Sequence, residues 1–329
     1  MNGIAPALTA LLLLATPAAA VGFQQVTAPD PDDQPLEVGI WYPSDAAASP
    51  QGLGLFQQTV APNGAIAGTR LPLIVISHGT GGSFEWHYDT AIALAEAGFV
   101  VAAVTHTGDN YRDDRKFARF TDRSRHIARL LDYVLGAWPG RERIDPARIG
   151  IFGFSAGGAT TLVAIGGTPD TTRVGAHCAQ YPEEWGCRRR AKRRDADRST
   201  PPPPASAHAY VHDARIKAAV VAAPAIGYTF TAEGLAAIAA PIQLWRGDRD
   251  EILPNPFHAQ SVYDALPVKP DYRVVPNAGH FAFLAPCSEA LAKVAPEICQ
   301  DDAGFDRVAF HQQFNQALID FFKAKLAPP

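Results

Sequence analysis

The chain has 329 residues, enough for one large α/β domain or two small ones, and its 47% hydrophobic and 19% charged content supports a sizeable core and excludes a disordered chain. A formal net charge of −4 does not suggest nucleic acid as the main partner.

Residues 1–20 read as a secretory leader outside the fold. Ala7 to Ala15 is a mostly apolar run too short for a membrane span, and Pro17-Ala18-Ala19-Ala20 follows as an A-x-A-like cleavage site. The leader has no Lys or Arg and carries only the terminal amine. The mature protein is expected to begin near Val21. No later stretch is long and apolar enough to cross a bilayer, so the expectation is a soluble product, periplasmic or secreted.

Leu36 to Tyr42 alternates partly and predicts an early strand, whereas Ser44 to Arg70, rich in Ala, Gly, Pro and Gln, predicts an exposed loop. Leu71 to Ser77 is a continuous apolar run, as in a strand buried on both faces. Trp86 to Ala97 has apolar residues at helical spacing, with Gly98 as its C-cap. Val100 to Val104 is another buried strand, followed by a polar loop, Thr105 to Asp114, and a long helical pattern to about Leu135 with Arg on one side. Further strands are predicted at Ile149–Phe152, Ile216–Ala222, Pro241–Trp245 and Tyr272–Val275, and a helix around Phe257–Leu266. The last helix, Asp306 to Leu326, places Phe310, Phe314, Leu318, Phe321 and Phe322 at helical spacing. This alternation implies an α/β fold with a mostly parallel sheet and helices on both faces.

Thr168 to Asp213 interrupts the alternation and reads as a surface insertion bordering the site. It holds Cys178, Cys187, the basic run Arg188 to Arg198, Pro201 to Pro204, and His177, His208 and His212. The basic run is expected to be a solvated face. An even count of four cysteines in an exported chain points to disulfides, with three connectivities open. The sequence-local pairing, Cys178–Cys187 and Cys287–Cys299, is preferred because each bridge then staples a single loop. No Cys-x-x-Cys and no paired histidines support a metal site.

Between the predicted strand and a run of small residues lies Gly153-Phe154-Ser155-Ala156-Gly157, a G-x-S-x-G pattern. A serine on a strained strand-to-helix turn needs small residues two positions to either side, and its hydroxyl then projects beside N–H groups at the start of a helix. Such a serine needs an imidazole to take its proton and a carboxylate to hold the imidazole, in the chain order serine, acid, histidine. Asp248, Asp250 and Glu251 crowd the loop after Pro241–Trp245. Asp250 is preferred, because Gly247-x-x-Asp with Pro254 close behind matches the acid loop of the fold that carries such an elbow. His280 follows the strand Tyr272–Val275 and is the candidate base; His258 and His311, on predicted helices, read as structural. An oxyanion hole would use the N–H of Ala156 and, from the loop His78-Gly79-Thr80-Gly81-Gly82, that of Thr80. His78 reads as support for this loop.

The order His-Gly-x-Gly, Gly-x-Ser-x-Gly, Gly-x-x-Asp and Gly-His resembles the α/β-hydrolases. The run Val75 to Gly82, continuing through Leu94 to Val104, resembles their platelet-activating-factor acetylhydrolase and bacterial dienelactone-hydrolase-like branch. The resemblance spans about 36–326 and implies one catalytic domain over 21–329, with 168–213 as its least certain part. It also implies hydrolysis of small carboxylic esters, short-chain first, by Ser155, His280 and Asp250 without metal or organic cofactor. Dienelactone hydrolases proper carry a cysteine where this chain has serine, so dienelactone is a doubtful substrate. Trp86, Phe154, Phe281 and Phe283 are either pocket walls or core. The rival readings are an amidase or peptidase with the same triad, and an inactive hydrolase fold used as a binding module.

Overall fold

The structure is a computed structural model and describes residues 20–196 and 209–328. Residues 1–19, which hold most of the expected leader, lie outside the described residues, as do Pro201–Pro204 and His208.

The chain opens with β1 (Ala20–Ala28), β2 (Leu36–Ser44), β3 (Ser49–Leu53) and β4 (Phe56–Pro62). It continues through β5 (Leu71–Ser77), α1 (Tyr88–Glu96), β6 (Val100–Thr105), α2 (Phe120–Gly136), β7 (Ile144–Phe154) and α3 (Ala156–Ala164). The insertion contributes α4 (Arg173–Gln180) and α5 (Trp185–Ala196). Then come β8 (Ile216–Ala222), α6 (Ala232–Leu235), β9 (Ile242–Gly247), α7 (Ala259–Ala265), β10 (Asp271–Val275), α8 (Glu289–Val294) and α9 (Arg307–Lys325).

Among the described residues the sheet has ten strands, in the order β10-β9-β8-β7-β5-β6-β2-β1-β4-β3. From β6 to β10 every neighbouring pair is parallel. β2 runs antiparallel to both β6 and β1. Parallel neighbours require long crossovers, and helices supply them on both faces. Strand β5 shows how this reads in sequence. Leu73 and Val75 join the core formed with Ile127, Leu131 and Leu162, while Ile74 and Ile76 join the opposite core with Leu94, Phe314 and Phe322. Both faces are buried, so the run is continuously apolar.

Helix α9 buries the expected stripe, Phe310, Phe314, Leu318, Phe321 and Phe322. Asp306 caps it, its carboxylate accepting the Ala309 N–H at 3.0 Å. The Phe314 ring lies 5.1 Å from Trp245 and 5.7 Å from both Phe152 and Phe283, fastening the helix beneath β7 and β9.

Three strands depart from expectation. β1 has no counterpart in the sequence reading, and the expected loop from Ser44 to Arg70 contains the β3–β4 hairpin. In β4, Phe56, Gln58 and Val60 turn inward while Gln57 and Thr59 turn out. The inward Gln58 accepts the Trp41 indole N–H at 2.8 Å, so a polar residue occupies a core position and hides the alternation. The cysteines pair as Cys178–Cys187 and Cys287–Cys299, with Cα separations of 5.3 and 5.8 Å.

Phe314→Ala is expected to destabilise the fold by about 3–5 kcal/mol, because the surrounding rings cannot close the space it leaves. Urea unfolding followed by circular dichroism measures this as a lowered midpoint with little change in slope.

Candidate active site

Strand β7 lies between β5 and β8 and ends at Phe154. The next residue, Ser155, has φ 56° and ψ −116°, a conformation that strains any residue with a side chain. Two backbone hydrogen bonds hold it there: Ser155 N–H to Ala222 O and Ala225 N–H to Ser155 O, both 2.9 Å. The flanking glycines are a steric requirement. A Cβ on Gly153 would stand 2.1 Å from Gly157 O, and one on Gly157 would stand 1.9 Å from Ser77 O. The start of α3 therefore rests directly on the end of β5. The first N–H groups of a helix have no acceptor within it, and those of α3 begin at Ala156, beside Ser155.

His280 opens a short 3-10 turn after β10, and Asp250 lies on the loop after β9. His280 Nε2 is 3.0 Å from Ser155 Oγ, and His280 Nδ1 is 2.8 Å from Asp250 Oδ2. Asp250 Oδ1 accepts the N–H groups of Ile252 at 3.0 Å and Leu253 at 2.7 Å, which fixes the carboxylate with Oδ2 towards the imidazole. All three side chains are buried. Among the neighbouring acids, Asp248 is exposed and makes no such approach. Glu251 does more than turn the chain, because it accepts the His280 backbone N–H at 3.2 Å.

Thr80 and Ala156 both lie on the cavity wall around Ser155. The loop carrying Thr80 rests on a buried ion pair. Arg123, from α2, donates to Asp109 Oδ2 at 2.7 Å, to Thr160 Oγ1 at 3.0 Å and to the His78 carbonyl. Burial pushes the Asp109 carboxyl up and the Arg123 guanidinium down, each against the pull of the other. His78 supports the loop as expected: its Nδ1 lies 2.5 Å from Gly79 O, and its Nε2 accepts the His106 N–H at 3.0 Å.

A cavity of about 340 Å³ opens in front of Ser155 and His280, walled by Trp86, Phe281 and, from the insertion, Trp185 and Arg189. A smaller one of about 60 Å³ lies on the Thr80 and Ala156 side, reaching Glu184, Tyr228 and His258. Of the aromatic candidates, Trp86 and Phe281 border the larger cavity half-exposed. Phe154 borders it at only 2% exposure, with its ring centroid 4.8 Å from that of His280. Phe283 is wholly core.

The insertion is tied down beside these cavities. Cys178–Cys187 links α4 to α5, and the His177 ring stacks on Tyr228 at 3.6 Å. Glu184 Oε2 stands 3.0 Å from His177 Nε2 and 3.4 Å from His258 Nε2. Burial holds His258 below its ordinary value, with Glu184 pulling the other way. His311, on α9, pairs with Asp89 at 2.6 Å, away from Ser155. Sequence reasoning missed Arg123, Asp109 and Glu251 as supports, and Trp185 and Arg189 as cavity walls. A charge inside an otherwise apolar helical pattern was available for Arg123; nothing local distinguishes the others.

The sequence matches a model of the alpha/beta hydrolase family over residues 74–295. Among curated proteins, no sequence matches this one. Of solved structures, a ferulic acid esterase from Streptomyces cinnamoneus aligns with a TM-score of 0.62 at 19% identity, covering 96% of this chain and 94% of that one. A dienelactone hydrolase from Anabaena variabilis aligns with a TM-score of 0.51 at 13% identity, covering 92% of this chain and 98% of the other. At these identities the likeness is one of fold.

Two outcomes are expected of the buried charges. Asp109→Ala leaves the Arg123 guanidinium uncompensated and should cost about 3–5 kcal/mol in a urea titration. Burial against the Phe152 and Phe154 rings lowers His87 from 6.5 to about 4. The unfolded chain binds this proton and the folded chain resists it, so stability is full above pH 6.5 and falls as the pH drops towards 4. His87 alone accounts for roughly 3 kcal/mol of that fall, readable as the shift in urea midpoint between neutral and acidic buffer.

Proposed function

The chain belongs to the alpha/beta hydrolase family, and on that premise we propose that it is an exported serine hydrolase of small carboxylic esters, working through an acyl-enzyme on Ser155. One observation carries the reading: Ser155 Oγ, His280 and Asp250 form a continuous hydrogen-bonded line, at 3.0 and 2.8 Å, with the serine in a strained turn. A binding surface has no physical need for that line or that strain.

In this reading His280 Nε2 takes the Ser155 proton as Oγ attacks the ester carbonyl carbon, and Asp250 holds the resulting imidazolium. The carbonyl oxygen gains negative charge and is met by the N–H groups of Thr80 and Ala156, each worth about 3–4 kcal/mol of transition-state stabilisation. Collapse of the intermediate breaks the C–O bond to the alcohol, and the departing alkoxide takes the proton back from Nε2. Water then attacks the acyl-serine with His280 as base, releasing the acid and restoring Ser155. Every role is filled by a protein group, so the cycle needs no metal or organic cofactor. Two disulfides support a product folded outside the cytoplasm, and among the described residues no helix is long and apolar enough to cross a membrane.

The test is hydrolysis of p-nitrophenyl acetate, butyrate, octanoate and palmitate by residues 21–329. Ser155→Ala is expected to lower kcat by 10⁴-fold or more, and Asp250→Asn by about 10⁴-fold. A fluorophosphonate should label Ser155 and spare the variant. Equal rates with and without Ser155, together with no labelling, would return the chain to the binding-module reading; turnover of anilides in preference to esters would make it an amidase.

A further inference from the structure

The two cavities that meet at Ser155 are chemically unequal. In ester cleavage the departing alkoxide must reach the proton on His280 Nε2, so the alcohol arm leaves on the side of the serine that His280 faces. His280 borders the 340 Å³ cavity, whereas the walls of the 60 Å³ cavity include Ser155, Thr80 and Ala156 but not His280 among the described residues. The alcohol arm therefore belongs to the larger cavity and the acyl arm to the smaller.

The larger cavity does not end at Phe281. It shares Gly81, Trp86 and Ile298 with an apolar groove of about 500 Å³. Leu55, in the turn between β3 and β4, and Phe56, which opens β4, form one wall. Leu291 and Val294, on the loop closed by Cys287–Cys299, form the other, with Tyr111 at the mouth. Three large apolar side chains gather here in solvent: Leu55 at 42% exposure, Tyr111 at 58% and Val294 at 65%. Such clustering marks a binding surface, unlike scattered exposed residues. Among the described residues, Glu85 is the one carboxylate on the wall, and it accepts from the Ser83 hydroxyl at 3.3 Å.

We infer that this groove is the subsite for the alcohol arm, and that it selects esters of long-chain or bulky apolar alcohols. The inference rests on the ester-hydrolase reading and adds a direction to it: apolar length is rewarded on the alcohol side of the carbonyl. Its occupant is fixed by continuity with the cavity that holds Ser155 and His280, which a separate protein partner would not require.

Ethyl acetate, hexyl acetate and ethyl hexanoate separate the two arms, because the last two differ from the first by the same four methylenes. Each methylene buried is worth about fourfold in kcat/KM. Hexyl acetate is expected to exceed ethyl acetate by tenfold or more, and ethyl hexanoate to gain much less. Val294→Asp and Leu55→Asp, both at solvent-exposed positions, should each cut the hexyl-to-ethyl ratio about tenfold. Binding of hexan-1-ol to the Ser155→Ala protein, followed by tryptophan fluorescence, should saturate and should weaken on adding Val294→Asp, a readout that needs no turnover. A larger gain for ethyl hexanoate, lost in the same variants, would overturn the assignment of arms. An unchanged ratio and unchanged alcohol binding would overturn the subsite, as would a concentration-dependent dimer that Val294→Asp dissolves. Failure of the ester-hydrolase reading shows separately, as wild-type turnover of ethyl acetate no faster than that of Ser155→Ala.

Discussion

The backbone of Ser155 is the constraint on which the site depends. A non-glycine residue at φ 56° and ψ −116° is unfavourable on its own and persists only because its surroundings leave it no alternative. They do so by contact: Gly157 brings α3 onto the end of β5, and Gly153 brings it onto β7, at distances that admit no side chain. The same contacts put the open N–H groups of α3 beside the serine oxygen. The strain at Ser155 and the placement of open N–H groups beside its hydroxyl thus come from one close approach between a helix and two strands.

Around that point the molecule spends buried polar groups freely. Arg123 and Asp109 lie side by side under the loop that carries Thr80, and His78, His87, His106 and His258 are buried with their protonation opposed by desolvation. A purely apolar filling would be easier to stabilise. What the polar filling provides is direction: Asp109 holds the Arg123 guanidinium, and Arg123 grips the His78 carbonyl, so the loop is held by an oriented bond rather than by shape alone. A donor aimed at a developing charge must be fixed before the charge appears.

Most of the parallel core was legible in the sequence because strands buried on both faces give uninterrupted apolar runs, as Leu71–Ser77 does. The line from Ser155 through His280 to Asp250 was legible because an elbow of small residues and a fixed chain order leave few candidates. The β3–β4 hairpin was not, because Gln58 occupies a core position and polar composition outweighed the alternation of Phe56 and Val60. Glu251 read as a turn residue because its partner is a backbone amide 29 residues away, a contact with no local trace. The insertion was legible as a break bordering the site, but Trp185 and Arg189 were not legible as its wall residues, since their positions depend on how α5 docks and not on their own neighbours in the chain.

The site is also a record of assembly. Ser155 is held by Ala222 at the end of β8, its helix rests on Ser77 at the end of β5, and its imidazole arrives from beyond β10. These segments are separated by scores of residues, and none can pose the serine alone. Non-local pairings of this kind form slowly and only as the whole sheet closes. A partly folded chain can have helices, and even a collapsed core, while lacking an organised serine. The pose of Ser155 is thus a property of the closed sheet as a whole and of no single segment.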